Sequence, residues 1–344
     1  MTFSNLILCH TIGFASGCIL DQIFGDPRWF PHPVIYIGKL IAFFDRKMNK
    51  AEISGGKKRK LGILSAFLTL LITLSVTSVL LVGAYMIHPV LGTVLEAILT
   101  STCLAAKSLK QESMKVYEAL ISMPPGERIS KAQKAVSMIV GRDTDRLSEK
   151  GIIKATVETV AESTSDGIIA PFIYLLIGGP LLGMMYKAVN TMDSMIGYKS
   201  DKYIDYGRAA ARTDDFLNFI PARITAFLMI TGVYILNKLH ARGEGGELCT
   251  AKHSFEIMKR DSLKSTSPNS GWPESVMAGA LGIELLGDAY YFGRKVHKER
   301  IGDNLRKPEK EDIVRANRIT SVTTYISFFI ALLLLSILLT IIML

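Results

Sequence analysis

Cysteine is scarce in this chain. Only Cys9, Cys18, Cys103 and Cys249 occur in 344 residues, and no two of them form a Cys-x-x-Cys pair. A disulfide framework and a zinc site are therefore excluded as organising features. Charge is absent from two long stretches, Leu61–Ile87 with 27 residues and Ile319–Leu344 with 26. Helices of soluble cores rarely run beyond ~25 residues without polar interruption, whereas a bilayer core takes about 20 apolar helical residues. Neither Lys nor Arg precedes Arg28, which argues against a cleavable signal and for an N-terminus outside. The sequence also lacks Gly-x-x-x-x-Gly-Lys-Ser/Thr, Gly-x-Gly-x-x-Gly, Gly-x-Ser-x-Gly and His-Glu-x-x-His. The common phosphate loop, dinucleotide turn, nucleophile elbow and zinc-protease helix are thus excluded. There is no internal repeat and no low-complexity tail.

What is present points to a membrane. Hydrophobic residues make up 49% of the chain, which excludes disorder. Four further apolar blocks are less clean. Phe3–Phe24 holds His10 and Asp21, and His88–Ala106 holds Glu96. Gly167–Tyr186 is broken by Pro171 and Gly178-Gly179-Pro180, and Phe216–Leu236 carries Pro221 and Arg223. Arg46, Lys47, Lys50, Lys57, Lys58, Arg59 and Lys60 form a basic run, and Arg315 and Arg318 precede the last block. Both groups should be cytoplasmic, which leaves both chain ends outside and the number of full spans even. The net charge of +9 suggests contact with anionic lipid or a phosphorylated substrate. Nucleic acid is not expected, because the basic residues flank membrane segments.

Five clusters concentrate the polar chemistry. In Gly25-Asp26-Pro27-Arg28-Trp29-Phe30-Pro31-His32-Pro33-Val34, three prolines fix an extended turn that holds Asp26, Arg28 and His32 at the membrane surface. An interfacial belt anchored by Trp29 would read the same way. Arg142-Asp143-Thr144-Asp145 is, taken alone, a helix N-cap signal. Glu158, Glu162 and Asp166 are spaced i, i+4, i+8 and would stack on one helical stripe. Like charges at that spacing repel, so either a divalent ion such as Mg²⁺ compensates them or they form a solvated acidic face. Asn190 and Asp193 share one helical face, and Arg208, Arg212 and Asp215 share another, with Asp214, Asn218 and Arg223 nearby. These arginines suit a phosphate, although an Arg–Asp network that only pins helices has the same composition. Last, Ser267-Pro268-Asn269-Ser270-Gly271-Trp272-Pro273-Glu274 is a rigid loop entering a small-residue helix. That helix would let a large flat ligand or another helix approach.

In these strings and their order the chain resembles the CbiB/CobD family of adenosylcobinamide-phosphate synthases. The resemblance runs from about Leu20 to Tyr291. It rests on Gly25-Asp26-Pro27 through Pro31-His32-Pro33-Val34, Arg142-Asp143-Thr144 and Glu158-Thr159-Val160-Ala161-Glu162 with Asp166-Gly167. It continues through Asn190-Thr191-Met192-Asp193-Ser194-Met195-Ile196-Gly197-Tyr198, Ala211-Arg212 with Asp214-Asp215, Asn218, Pro221-Ala222-Arg223 and Ser267-Pro268-Asn269 with Gly271-Trp272-Pro273-Glu274. No motif core departs clearly from the pattern. The Asp-x-His-x-x-Gly loop that ligates cobalt in many corrinoid proteins is absent, so a corrinoid would bind in another way.

The resemblance implies an integral membrane enzyme of cobalamin biosynthesis. It would join the carboxylate of adenosylcobyric acid to the amine of (R)-1-aminopropan-2-ol O-phosphate, or of ethanolamine phosphate, using ATP and Mg²⁺. The lipid bilayer and other membrane enzymes of the pathway would be its surroundings. Single-residue roles are inferred from chemistry rather than carried from the family. His32, Glu158, Glu162 and Asp166 are expected to be catalytic, with His32 the group that titrates near neutral pH. Glu158, Glu162, Asp166, Asp193, Asp214 and Asp215 are expected to serve metal. Asp26, Arg142, Asp143, Asn190, Arg208, Arg212, Asn218, Arg223, Asn269, Trp272 and Glu274 are expected to bind substrates. Two other classes stay open from the residues: a UbiA-like Mg²⁺-dependent membrane prenyltransferase, from the Asn190-x-x-Asp193 and Asp214-Asp215 pairing, and a non-enzymatic transporter or sensor.

The expected fold is an all-α, multi-pass cell-membrane protein with broken helices lining a polar cavity, forming one membrane domain over 1–344. ATP is cytoplasmic, so the active site should face the cytoplasm. Six spans would split the motifs between two membrane faces. Four full spans are therefore expected: Phe3–Phe24, Leu61–Ile87, His88–Ala106 and Ile319–Leu344. The two Pro/Gly-broken blocks should then be re-entrant or deeply buried.

Overall fold

Local chemistry sets most helix starts. His32 caps α2 (Pro33–Met48): its Nδ1 accepts from the Val34 amide at 3.3 Å, and Pro33 fills the first helical position. His88 and Pro89 repeat the device at α4 (Pro89–Cys103), with Nδ1 accepting from Val90 at 3.2 Å. Proline is tolerated there because the first helical amides have no intrahelical partner. The computed structural model describes residues 2–27, 29, 31–122, 124–240, 249–291 and 293–343. Arg28 lies outside them. The remaining helices are α1 (Phe3–Phe24), α3 (Gly55–Ile87), α5 (Ala106–Ser122), α6 (Pro125–Ser137), α7 (Glu149–Ser163), α8 (Ala170–Ile196), α9 (Arg208–His240), α10 (Ala251–Asp261), α11 (Gly271–Leu281) and α12 (Glu311–Met343). A π-helical turn, Thr164–Ile169, joins α7 to α8.

The chain is an all-α polytopic membrane protein. Six helical stretches are long and apolar enough to cross a bilayer: Phe3–Phe24, Gly55–Ile87, Pro89–Ser122, Glu149–Ile196, Arg208–Leu239 and Glu311–Ile342. These are two more than the four full spans expected, and the added two contain the Pro/Gly-broken blocks. The break expected in α8 is present, with non-helical backbone at Gly178 and Gly179. Pro221, by contrast, is carried inside α9. The only strands among the described residues are four short ones, β1 (Leu285–Leu286), β2 (Ala289–Tyr291), β3 (Arg294–Val296) and β4 (Arg300–Ile301). They pair antiparallel as β1 with β4 and β2 with β3.

Two compact units divide the chain. The first comprises Met1–Ala105, Ala170–Asn218 and Phe329–Leu344. In it α1 packs on α4, and α3 and α4 both pack on α8. Its core joins Ile37 and Ile41 of α2, Ala66 of α3, and Ala188, Val189, Met192 and Ile196 of α8. The second comprises Ala106–Ile169 and Phe219–Phe328. There α5, α6 and α7 pack together, α11 covers α7, and α10 backs α11. The polar head of α12 is tied into this unit. Asn317 exchanges hydrogen bonds with Ser113, and the Thr320 and Thr164 hydroxyls meet at 2.8 Å. Asp312, fully buried, takes bonds from Arg306 and Arg315. A charge this deep is tolerable only when so paired.

Candidate active site

The second unit gathers five ionisable groups. Glu158 and Glu162 come from α7, one helical turn apart. Arg142 comes from the loop before α7, Glu274 from the first turn of α11, and Lys298 from the segment after β3. Glu158 is 2% exposed. Its Oε2 pairs with Arg142 Nη2, and its Oε1 accepts the Leu286 amide at 2.8 Å. Leu286 aims that amide from a left-handed backbone, φ 59°, a conformation that costs a non-glycine residue energy and clusters at functional sites. Asp143 anchors the Arg142 loop. Its amide donates to the Tyr290 carbonyl at 2.9 Å, and its Oδ2 accepts the Gly293 amide at 2.7 Å. Ser148, rather than the 142–145 string, caps α7.

Glu274 is the unbalanced member. It is 4% exposed, and its Oε2 has no hydrogen-bond partner. Burial, then the neighbouring Glu162 and Glu158 carboxyls, push its own carboxyl well above the usual range, and Lys298 and Arg142 offset only part of this. A raised carboxyl stabilises the fold below the unfolded-state pKa, and that contribution is lost as pH rises through the raised value. The Tm of the wild type should therefore fall below that of Glu274→Gln as pH climbs from the ordinary carboxylate range, with the two converging in acid. A constant difference at every pH would show that Glu274 does not titrate in this way.

The same unit brings Arg223, Asn269 and Trp272 together. The Arg223 guanidinium stacks over Phe219 at 3.5 Å and Trp272 at 4.6 Å, and its Nη1 reaches Asn269 Oδ1 at 3.4 Å. Asp166 lies in the π-helical turn. Among the described residues no three His, Cys, Asp or Glu side chains are placed to hold a metal ion by themselves. Within the expected stripe, Glu158 accepts from Arg142 and from the Leu286 amide, so Arg142 offsets part of the stripe's negative charge.

The first unit holds a basic cavity of about 570 Å³. Arg59, Lys199, Arg208 and Arg212 line it against Asp205 and Asp215, and Arg59 Nε also bonds Asp205 at 2.6 Å. Behind Asp215 stands a fixed chain of donors. Tyr186 Oη donates to Asn218 Oδ1 at 2.8 Å, and Asn218 Nδ2 donates to Asp214 Oδ2 at 2.9 Å. Asn190 and Asp193 of α8 lie beside Asp214. Asn218 is 1% exposed, so it positions Asp214 and offers no free edge to a ligand. Asp26 and His32 line a different, smaller cavity of about 190 Å³. His32, the expected titrating group, spends Nδ1 on the Val34 amide and Nε2 on Asp26 at 3.1 Å.

Three groups here were not singled out as site residues from sequence. Arg59 sits in a run legible only as a topology signal, and Lys199 and Lys298 sit among ordinary surface charges. Only the position of Lys199 beside the Asn190–Tyr198 string could have marked it.

A multi-pass helical membrane protein with two clusters of ionisable groups is the class these features define. Over residues 14–320 the chain matches the family described as CobD/Cbib protein. It is 44% identical over 319 residues to the Cobalamin biosynthesis protein CobD of Clostridium perfringens, covering 92% of this chain and 95% of that relative. It is 45% identical over 288 residues to the protein of the same name from Geobacter metallireducens, covering 84% and 85%. The likeness to the Cobalamin biosynthesis protein CobD of Klebsiella pneumoniae subsp. pneumoniae is 40% over 306 residues, 89% and 91% of the two chains. No solved structure matches it. The chain belongs to the CobD/Cbib family, a family of cobalamin biosynthesis.

Proposed function

We propose that this protein is an ATP-dependent amide ligase that makes adenosylcobinamide phosphate. The carboxylate of adenosylcobyric acid is joined to the amine of (R)-1-aminopropan-2-ol O-phosphate or ethanolamine phosphate. The observation that carries this reading is the basic cavity, where four cations face two carboxylates. Its surplus positive charge suits a phosphorylated ligand, and the arginines offer forked donors to phosphate oxygens.

Amide formation from a carboxylate is uphill in water, so the carboxylate needs a better leaving group. The carboxylate oxygen would bond to the γ-phosphorus of ATP while ADP leaves, with Mg²⁺ screening the phosphates. Mg²⁺ is commonly held by one or two carboxylates plus phosphate oxygens and water, a mode that Asp193 and Asp214 fit without a third protein ligand. The amine nitrogen then bonds to the activated carbonyl carbon, inorganic phosphate leaves, and the ammonium proton must go to a base. Asp215, on the wall of the same basic cavity, is our choice for that base, since both His32 nitrogens are engaged. Because ATP is cytoplasmic, the reading puts the reaction on that side.

Incubating purified protein with ATP, Mg²⁺, adenosylcobyric acid and each amine should give the amide, detected by mass. Prenyl transfer, or no product with either amine, overturns the reading. Arg212→Lys keeps the charge but loses the fork. It should weaken apparent affinity for the phosphorylated amine about tenfold and leave that for adenosylcobyric acid nearly unchanged. Equal losses for both substrates would remove Arg212 from the phosphate site.

A further inference from the structure

Three ionisable side chains inside the candidate spans take no part in the chemistry above. His10 of α1, Tyr85 of α3 and Glu96 of α4 meet in the first unit. Tyr85 Oη donates to Glu96 Oε2 at 2.5 Å, and His10 Nδ1 lies 2.5 Å from Glu96 Oε1. Glu96 is 5% exposed. The other ring nitrogen, His10 Nε2, bonds the Leu176 carbonyl of α8 at 3.3 Å.

That last contact answers a specific vacancy. In an unbroken helix the carbonyl of residue 176 accepts from the amide of residue 180. Residue 180 is proline, which has no N–H. An acceptor left without a donor is costly, and a bilayer offers no water in its place. His10 supplies the missing donor. The helix departs from its path at the same place: Gly178 has φ −139°, ψ 25° and Gly179 has φ 57°, ψ −158°, the latter essentially a glycine-only conformation. A Cβ on Gly179 would lie 3.1 Å from Glu96 Oε1 and 3.5 Å from His10 Nδ1. The broken backbone thus rests directly on the His–Glu pair.

The protons can be counted. Nε2 must carry hydrogen to serve a carbonyl, and Tyr85 donates its own hydrogen. One further proton lies between His10 Nδ1 and Glu96 Oε1, and the pair is neutral overall whichever atom holds it. No uncompensated charge is left inside the membrane, where it would be costly.

We propose that His10, Glu96 and Tyr85 form a lock that replaces the backbone hydrogen bond Pro180 cannot make and fixes the break in α8. Beyond the break, α8 runs to Ile196 and packs through Val189, Met192 and Ile196. Asn190 lies about three turns along it. The three lock residues are therefore positioning residues for Asn190 and Asp193. The lock stands without the ligase reading, and only its link to turnover rests on that reading.

Hydrogen exchange of the full-length protein in detergent, followed in peptides covering residues 174–186, tests it. His10→Phe and Glu96→Met should exchange about tenfold faster there, the effect of losing one buried hydrogen bond. Glu96→Gln should stay near wild type, because its amide can donate to Nδ1 while its carbonyl accepts from Tyr85. Wild-type exchange in Glu96→Met, or loss in Glu96→Gln equal to that in Glu96→Met, overturns the proposal. Pro180→Ala restores a backbone donor. In that background the Tm penalty of His10→Phe should shrink by half or more, and equal penalties in both backgrounds also overturn it. Should His10→Phe fail to fold, Tyr85→Phe gives the same exchange readout. If the ligase reading holds, Glu96→Met lowers kcat more than it raises KM, and Glu96→Gln restores it. If the wild type shows no turnover, the ligase reading fails and the exchange data still decide the lock.

Discussion

Arg142→Met is expected to cost about 3–5 kcal/mol of stability, read as a lowered Tm in detergent, because it leaves a buried carboxylate without its cation. Glu158 has no route to solvent at 2% exposure, and its other oxygen is held by the Leu286 amide. Glu158→Gln should cost less, since a Gln carbonyl can still accept that amide. In the double variant the penalty should be well below the sum, because the unpaired charge is gone. A Tm for Arg142→Met within error of wild type would show that the pair is not formed in solution.

Gly197→Ala should lower turnover about 10²-fold, the size of effect that a misplacement of about 1 Å produces at a reacting centre, and should lower Tm as well. A Cβ at this position would overlap Asp193 Oδ1 and lie 2.7 Å from the Asp193 backbone carbonyl. The carboxyl is the free end of a side chain and can rotate away, but the carbonyl is fixed, so the end of α8 must shift with it. Both the place of the charge and the helix end are disturbed. Asp193→Asn and the double variant should then be about equally impaired, because the residues act as one unit. Wild-type turnover in Gly197→Ala would remove Asp193 from the site.

The spans were the most legible part of this protein. Leu61–Ile87 and Ile319–Leu344 announce themselves because burying apolar helix in lipid needs no tertiary partner. The broken α8 was legible for a related reason, since Gly178-Gly179-Pro180 cannot continue a helix whatever surrounds it. The number of helices long enough to cross was harder, because Pro221 lacks the glycine pair that precedes Pro180 and stays inside α9. Arg208 and Arg212 stood out in sequence by type and spacing, and the fold brings both to one cavity. The partners of Arg142 were not, since Leu286 and Tyr290 carry no signal in sequence that they will meet its loop. His10 and Glu96 looked like impurities in otherwise apolar blocks. Their meaning depends on one carbonyl in another helix, which only the folded chain brings to them.

The separation of those partners along the chain also orders the birth of the site. Arg142 and Glu158 are sixteen positions apart and can meet early. The amides that hold them in place arrive much later: Leu286 follows Glu158 by 128 positions, and Gly293 follows Asp143 by 150. Closing loops of that length is slow and comes after local structure. During synthesis, the helix carrying Glu158 must wait half-satisfied until β1 has left the ribosome with Leu286, and the Arg142 loop until the β2–β3 hairpin has followed with Gly293. The hairpin is thus the clasp whose closing marks the end of assembly, and a chain stalled before it would hold its acidic residues in an unfinished pocket.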